Sequence, residues 1–350
     1  MSSKKIVNIV GPIKNGTTLV GTLLDSHPKI SSFPLEIKFI EHLNKVPKNE
    51  LNSKNFKKKF LETSKIKYLL EKDNTHKELN LNIGIFSPPS NFNYNLFCEN
   101  FYNQKIYDIE DFIIKIHESL DISLNIKPRD IIIIQDGNHL LKNNLIEFSK
   151  KNLKNSKFIL IHRNPMDVYI SFKKYSRNLK IWRNNILEYV DIFLKDYLTL
   201  IELKKNKLNN FYFINYKNLI LNSEFEIKNL CKFLEIEFDE KLRKPTIFGN
   251  KWYSNSSSLE KDDKIFSKSI YDFNKELNDL EKIYIYLKFE KIFNTLYPEI
   301  FVHKKKLGFI KLFAQCLNEF KKNTSKDWKI YFKILIIIKN IMHNLLIKNV

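Results

Sequence analysis

"IVNIVGPIKNGTTLVGTLLDSHPKI", residues 6–30, decides how the rest of the chain is read. With Lys5 before it, the β-rich run KIVNIV of residues 5–10 stops at Gly11. From Thr17 the segment TTLVGTLLDSH places apolar residues at helical spacing. A strand that passes through a glycine turn into a helix is the building unit of an α/β sheet.

Outward from this stretch the same alternation recurs. DIIIIQDG (130–137) is a four-isoleucine run, as expected of a parallel strand buried on both faces. NHLLKNNLIEFSKKNL (138–153) then reads as a helix, KFILIHRNP (157–165) as a buried strand stopped by Pro165, and NNFYFINYKNL (209–219) as a fourth strand. Strands alternating with helices predict an α/β fold of three layers, α/β/α, around a central parallel sheet. Residues 40–115 are polar, aromatic and lysine-rich, with SPPSNFNYN at 87–95 marking a loop, and read as a helical and irregular insertion that either shapes an acceptor site or is only a lid on the sheet. We therefore expect a main domain over 1–300 and a helical extension over 301–350.

Within that extension DWKIYFKILIIIKNIMHNLLIKNV (327–350) is apolar over a wide arc, with Lys333, Asn340 and Asn344 together on one side. It reads as an interfacial contact with a membrane surface, as an oligomer contact, or as a terminal helix docked on its own domain. Lys and Arg number 59 against 39 Asp and Glu, a net charge of +20, so the surface draws anions. Charge alone does not choose among polyanionic ligands, acidic lipid and nucleic acid, and no nucleic-acid-binding module is present. Cys98, Cys231 and Cys316 have neither disulfide-framework nor zinc spacing. The N-terminal MSSKKIVNIVGP has no signal-peptide pattern, and no run is long and apolar enough to span a bilayer, which together predict a cytoplasmic chain, with a peripheral membrane contact through 327–350 left open.

The chemistry begins at the turn. Backbone N–H groups at a helix N-terminus form an anion site that needs no side-chain charge, and Gly16 lets the backbone approach closely. A nucleoside-triphosphate loop would follow Gly16 with Lys and a magnesium-binding hydroxyl, but Thr17 and Thr18 stand there, so the triphosphate clamp is broken. Lys14 comes earlier, where its ammonium can lie over a departing bridging oxygen. This suits group transfer from a nucleotide 5′-phosphate without bound metal.

FILIHRNPMDVYISFKKYSR (158–177) puts Arg163 directly after a buried strand and Ser171 in the helix that Pro165 opens. A guanidinium and a hydroxyl at the C-terminal edge of a parallel sheet bracket a phosphate monoester well. The competing reading is an ordinary strand-to-helix corner.

With both stretches in view, the chain resembles the sulfotransferases that use 3′-phosphoadenosine 5′-phosphosulfate (PAPS), whose fold is similar to that of phosphate-loop kinases. PIKNGTTL matches the family's 5′-phosphosulfate loop, and Arg163, Asn164, Pro165, Asp167 and Ser171 match its 3′-phosphate motif. FYFINYKNLILNSEFEIKNLCKFLEIEF continues the likeness, which covers roughly residues 4–260. The resemblance implies that Lys14, Asn15, Gly16, Thr17 and Thr18 hold the 5′-phosphosulfate, that Arg163 and Ser171 hold the 3′-phosphate of PAPS or its product PAP, and that no metal is required. It also implies that Tyr216 and Lys251, the latter in FGNKWYSNSS (248–257), contact the cofactor. Trp252 is a stacking candidate, and a core role for Tyr216 and a plain surface loop at 248–257 are the competing readings.

Glu36, in DSHPKISSFPLEIKF, is placed like the catalytic base of several branches, with Lys14 as its catalytic partner. Asp136 and His139 are the runners-up, and His27 reads as a turn element. Where many relatives carry a lysine after a central strand, this chain has Gln135, which leaves Lys38 or Lys142 to compensate. The expected activity is transfer of a sulfuryl group from PAPS to an acceptor hydroxyl, of a glycan or glycolipid. A noncatalytic protein that binds PAP or other polyanions, and a phosphate-loop kinase, are the alternatives.

Overall fold

The computed structural model describes residues 4–33, 36–37, 39–64, 66–70, 89–137, 145–153, 156–178, 186–206, 208–252 and 270–300. In chain order its elements are β1 (Lys5–Val10), α1 (Thr17–Leu24), β2 (Ile30–Ser32), α2 (Phe39–Leu43), α3 (Lys54–Thr63), α4 (Ile66–Leu70), α5 (Tyr94–Asn103) and α6 (Ile109–Ser123). There follow β3 (Ile131–Gly137), α7 (Leu145–Asn152), β4 (Lys157–His162), α8 (Pro165–Asn178), α9 (Ile186–Lys205), β5 (Phe211–Asn215), α10 (Tyr216–Leu221) and α11 (Ser223–Leu234). After a 3₁₀ turn at Glu240–Arg243 come β6 (Thr246–Ile247), β7 (Asn250–Lys251), α12 (Phe273–Glu276), α13 (Asp279–Lys288) and α14 (Glu290–Leu296).

The predicted parallel sheet is present, flanked by helices. Its five strands run in the order β2-β3-β1-β4-β5, every neighbouring pair parallel. The four apolar runs supply β1, β3, β4 and β5, and Ile6, Val7, Ile9, Val10 and Ile131 to Ile134 are all buried, as a strand covered on both faces requires. The edge strand β2 has no such run. It reaches its place because Ser31 and Ser32, both buried, have partners: Ser31 Oγ donates to Asp121 Oδ1 at 2.9 Å and meets His117 Nδ1 at 3.1 Å. Asp121 in turn takes the guanidinium of Arg129, Nη2 at 2.5 Å. The four described α-helices within residues 54–123 pack on an aromatic core in which Phe60 and Phe101 both meet Phe112 edge-on.

Contacts divide the chain into two compact units. The first, 1–163 with 202–270, contains the sheet. The second, 164–201 with 271–350, is helical in its described part. Its core is aromatic: Tyr189 stacks on Phe289 and lies 4.6 Å from Phe193, and its hydroxyl donates to the Pro165 carbonyl at 2.6 Å. Residues 301–350, including the amphipathic stretch 327–350, lie outside the described residues. No described helix is long and apolar enough to cross a membrane.

Candidate active site

Because all five strands point the same way, the segments that leave their C-terminal ends share one edge of the sheet. These are residues 11–16 after β1, Glu36 after β2, Gln135 to Gly137 closing β3, Arg163 after β4, and Tyr216 after β5.

The turn after β1 is anchored from within. Pro12 O accepts from Asn15 N–H at 3.2 Å, and Asn15, fully buried, donates from Nδ2 to Ile13 O at 3.1 Å. Lys14 takes a left-handed φ of 64° and Gly16 a φ of 102°. Gly16 is the N-cap of α1 and brings no capping side chain, nor does the first turn carry an acid, so the helix start keeps the backbone donors and positive dipole end that an anion seeks. Thr17 and Thr18, half-buried, are the first two helical residues.

Arg163 joins this turn directly. Its backbone N–H donates to Asn15 Oδ1 at 2.6 Å, and its guanidinium Nη1 reaches Lys14 O at 3.4 Å. The guanidinium carbon sits 4.5 Å from the centroid of the Tyr216 ring. That ring also fills the space beside Gly16, where a Cβ would come within 2.5 Å of it. Burial, and then the Arg163 charge, lower the Lys14 ammonium to about 8.

Of the residues singled out in the sequence, Lys14, Asn15, Gly16, Thr17, Thr18, Arg163 and Tyr216 are thus gathered in the first unit. Glu36 is exposed and follows the edge strand, two strand positions from β1, which is about 10 Å in the sheet. Lys251 is exposed on β7, whereas Trp252 is buried in the same apolar cluster as Tyr216, Leu19 and Ile247. Ser171 is buried on α8, in the second unit. Asp136 lies near the end of β3, while Lys38, His139, Lys142 and residues 253–257 lie outside the described residues.

Gln135 turns away from solvent. Its Nε2 donates to Phe33 O at 3.4 Å, and a Cβ on Gly21 of α1 would come within 2.2 Å of its amide, so glycine there makes the room Gln135 occupies. His27 has structural partners, Lys29 N–H on Nδ1 at 3.1 Å and Glu237 O at 3.1 Å from Nε2, in keeping with a turn element. Residues 248–251, read from sequence as part of a loop, contribute instead to a short antiparallel hairpin of β6 and β7. Sequence reasoning missed the group that holds this hairpin, Asp25 at the end of α1, since its partners Thr246 and Gly249 are remote in the chain.

The family model described as "Sulfotransferase family" matches residues 7–240. No curated protein matches the chain. Among solved structures, the sulfotransferase domain of the curacin biosynthetic pathway is 16% identical, with a TM-score of 0.48, covering 82% of this chain and 98% of that one. The sulfotransferase domain of the Synechococcus PCC 7002 olefin synthase is also 16% identical, with a TM-score of 0.49, covering 82% and 95%. Mouse sulfotransferase SULT7A1, complexed with PAP, is 13% identical, with a TM-score of 0.42, covering 84% and 85%.

Proposed function

Because the chain belongs to the sulfotransferase family, we propose that it moves a sulfuryl group from PAPS to an acceptor hydroxyl by in-line displacement. PAPS supplies the sulfuryl group on a 5′-phosphate leaving group. The residues present fit such a donor: an uncapped helix start behind Gly16, a lysine at the turn, and an arginine bonded to that turn. Gly16, Thr17 and Thr18 hold the 5′ end, with Asn15 fixing the turn. Arg163 holds the 3′-phosphate, with Tyr216 and Lys251 as further contacts. Lys14 places positive charge at the oxygen that departs, and Glu36 takes the proton of the attacking hydroxyl.

The single observation that supports this reading most is the bonding of Arg163 to the turn. In the sequence the two anion-binding stretches are independent, and here Asn15 Oδ1 ties one to the other. A donor with phosphate at both ends needs that arrangement. We place the acceptor hydroxyl on a glycan or glycolipid and the protein in the cytoplasm, with a peripheral lipid contact through 327–350. The net charge of +20, which favours anionic surfaces, and the amphipathic pattern of 327–350 support this.

Thermal unfolding with PAP and with 5′-AMP tests the donor assignment. PAP at about 100 times its Kd stabilises by about 2.7 kcal/mol, and AMP at the same concentration by much less. Equal shifts overturn the reading of Arg163. Labelled PAPS offered to extracted glycans, glycolipids and peptides tests the acceptor, and label found only in peptide overturns the glycan reading.

A further inference from the structure

The carboxyl of Asp25 closes α1 and is buried. Its Oδ2 accepts from Thr246 Oγ1 at 2.9 Å and from Gly249 N–H at 2.9 Å, and its Oδ1 accepts from Ser32 Oγ at 3.4 Å. One carboxylate thus ties the end of α1 to β2, the strand that leads to Glu36, and to the β6–β7 hairpin, which carries Lys251. Burial pushes its pKa up, opposed by the Gly249, Thr246 and Phe248 donors.

The hairpin turn is strained. Phe248 has φ 50° and Gly249 φ 73°, the pair of positive values that a two-residue turn of type I′ demands. Glycine suits this conformation, and no atom lies within 4 Å of where its Cβ would be, so crowding does not explain it. A bulky phenylalanine in the left-handed region is unfavourable and persists only where the surroundings enforce it. The donors on this turn converge on Asp25. Thr246, which gives its hydroxyl to Asp25, is the direct cross-strand partner of Lys251. Opposed residues of an antiparallel pair share a face, so the clamp fixes the register and the face from which Lys251 projects.

We propose that Asp25 is a positioning residue for the donor site, holding the strained Phe248–Gly249 turn so that Lys251 meets the 3′-phosphate end of the nucleotide. The proposal rests on the sulfotransferase reading and adds to it the residue that sets 3′-phosphate preference from outside the anion-binding motifs.

The experiment compares Kd for PAP and for adenosine 5′-phosphosulfate, which lacks the 3′-phosphate, in the wild type, Asp25→Asn and Thr246→Val. Asp25→Asn removes the charge and replaces one of the two acceptor oxygens by an amide NH₂. It should weaken PAP about tenfold while adenosine 5′-phosphosulfate changes less than about twofold. Thr246→Val removes one donor and keeps the carboxylate, and it should show the same split at about threefold. If Asp25→Asn does not fold, Thr246→Val decides. Equal weakening of both ligands, or no change in either, overturns the positioning role. A wild type that does not prefer PAP to adenosine 5′-phosphosulfate overturns the donor assignment itself, and this proposal with it.

Discussion

The guanidinium carbon of Arg163 sits over the Tyr216 ring, 4.5 Å from its centroid, while the same ring closes off the space beside Gly16. One aromatic side chain therefore sets the position of both the glycine turn and the arginine. Cation–π contact of this kind contributes about 0.5–2 kcal/mol. Tyr216→Phe should keep PAP affinity within about twofold, and Tyr216→Leu should weaken it about three- to tenfold, as read by calorimetry. Equal affinity of the leucine variant would show that Arg163 holds its place without the ring.

Gly16→Ala attacks the same relationship from the other side. The backbone there has φ 102°, which costs an L residue about 1–2 kcal/mol, and the new methyl would press into Tyr216 at 2.5 Å. Overpacking adds about 1–3 kcal/mol, and the ring cannot retreat without disturbing Arg163. We expect a lower melting temperature and a loss of transfer of more than about a hundredfold. Wild-type activity in this variant would contradict the packing.

The role we propose for Lys14 implies an alkaline limit to the reaction. With the ammonium lowered to about 8 by burial and then by Arg163, the protonated form that can neutralise a departing oxygen is depleted above that pH. The kcat/KM for PAPS should fall roughly tenfold per unit above about pH 8. Lys14→Arg, whose side chain stays protonated, should be slower yet lack this limb. An unchanged limb in the arginine variant would assign the titration to another group.

What the sequence disclosed, and what it concealed, follow from how far each interaction reaches along the chain. Four strands were legible because a strand buried on both faces must be apolar throughout, as Ile131 to Ile134 are. β2 was not, because Ser31 is held by Asp121 and His117, remote in the chain, and Ser32 by a hydrogen bond to Asp25, rather than by a run of apolar residues. The glycine turn and Arg163 could be read because each is a local pattern at the end of a strand. The Asp25 clamp could not, since its donors in the hairpin lie 221 and 224 residues away. The fate of Trp252 was likewise undecidable, because an aromatic residue after a turn serves equally well for stacking or for the core that it joins here.

Glu36, exposed after the edge strand, is the base we propose. Glu36→Gln should keep PAP affinity within about twofold and lower kcat about a hundredfold, the range that general base catalysis supplies. If kcat is preserved, Glu36 is not the base and Asp136 and His139 become the candidates to replace next.

His117 makes the folded protein sensitive to acid. Its ring is wedged edge-on against Phe33, with centroids 4.8 Å apart, and its Nδ1 meets Ser31 Oγ under the edge strand. Burial, followed by the charges of Arg129 and Lys4, lowers it to about 3 from an ordinary 6.5. Between those values the unfolded chain binds a proton that the native state refuses, so stability must fall as pH drops below about 6.5. The slope for one such histidine is about 1.4 kcal/mol per pH unit. For a protein larger than about 150 residues this lowers the melting temperature by a few degrees per unit. His117→Asn keeps a polar atom for Ser31 and removes the titration. Its melting temperature should start lower at pH 7 but decline less steeply toward pH 5 than that of the wild type. Parallel declines would mean that protonation at this ring does not govern the loss, and would move the acid sensitivity to His162, which burial lowers to about 3 as well.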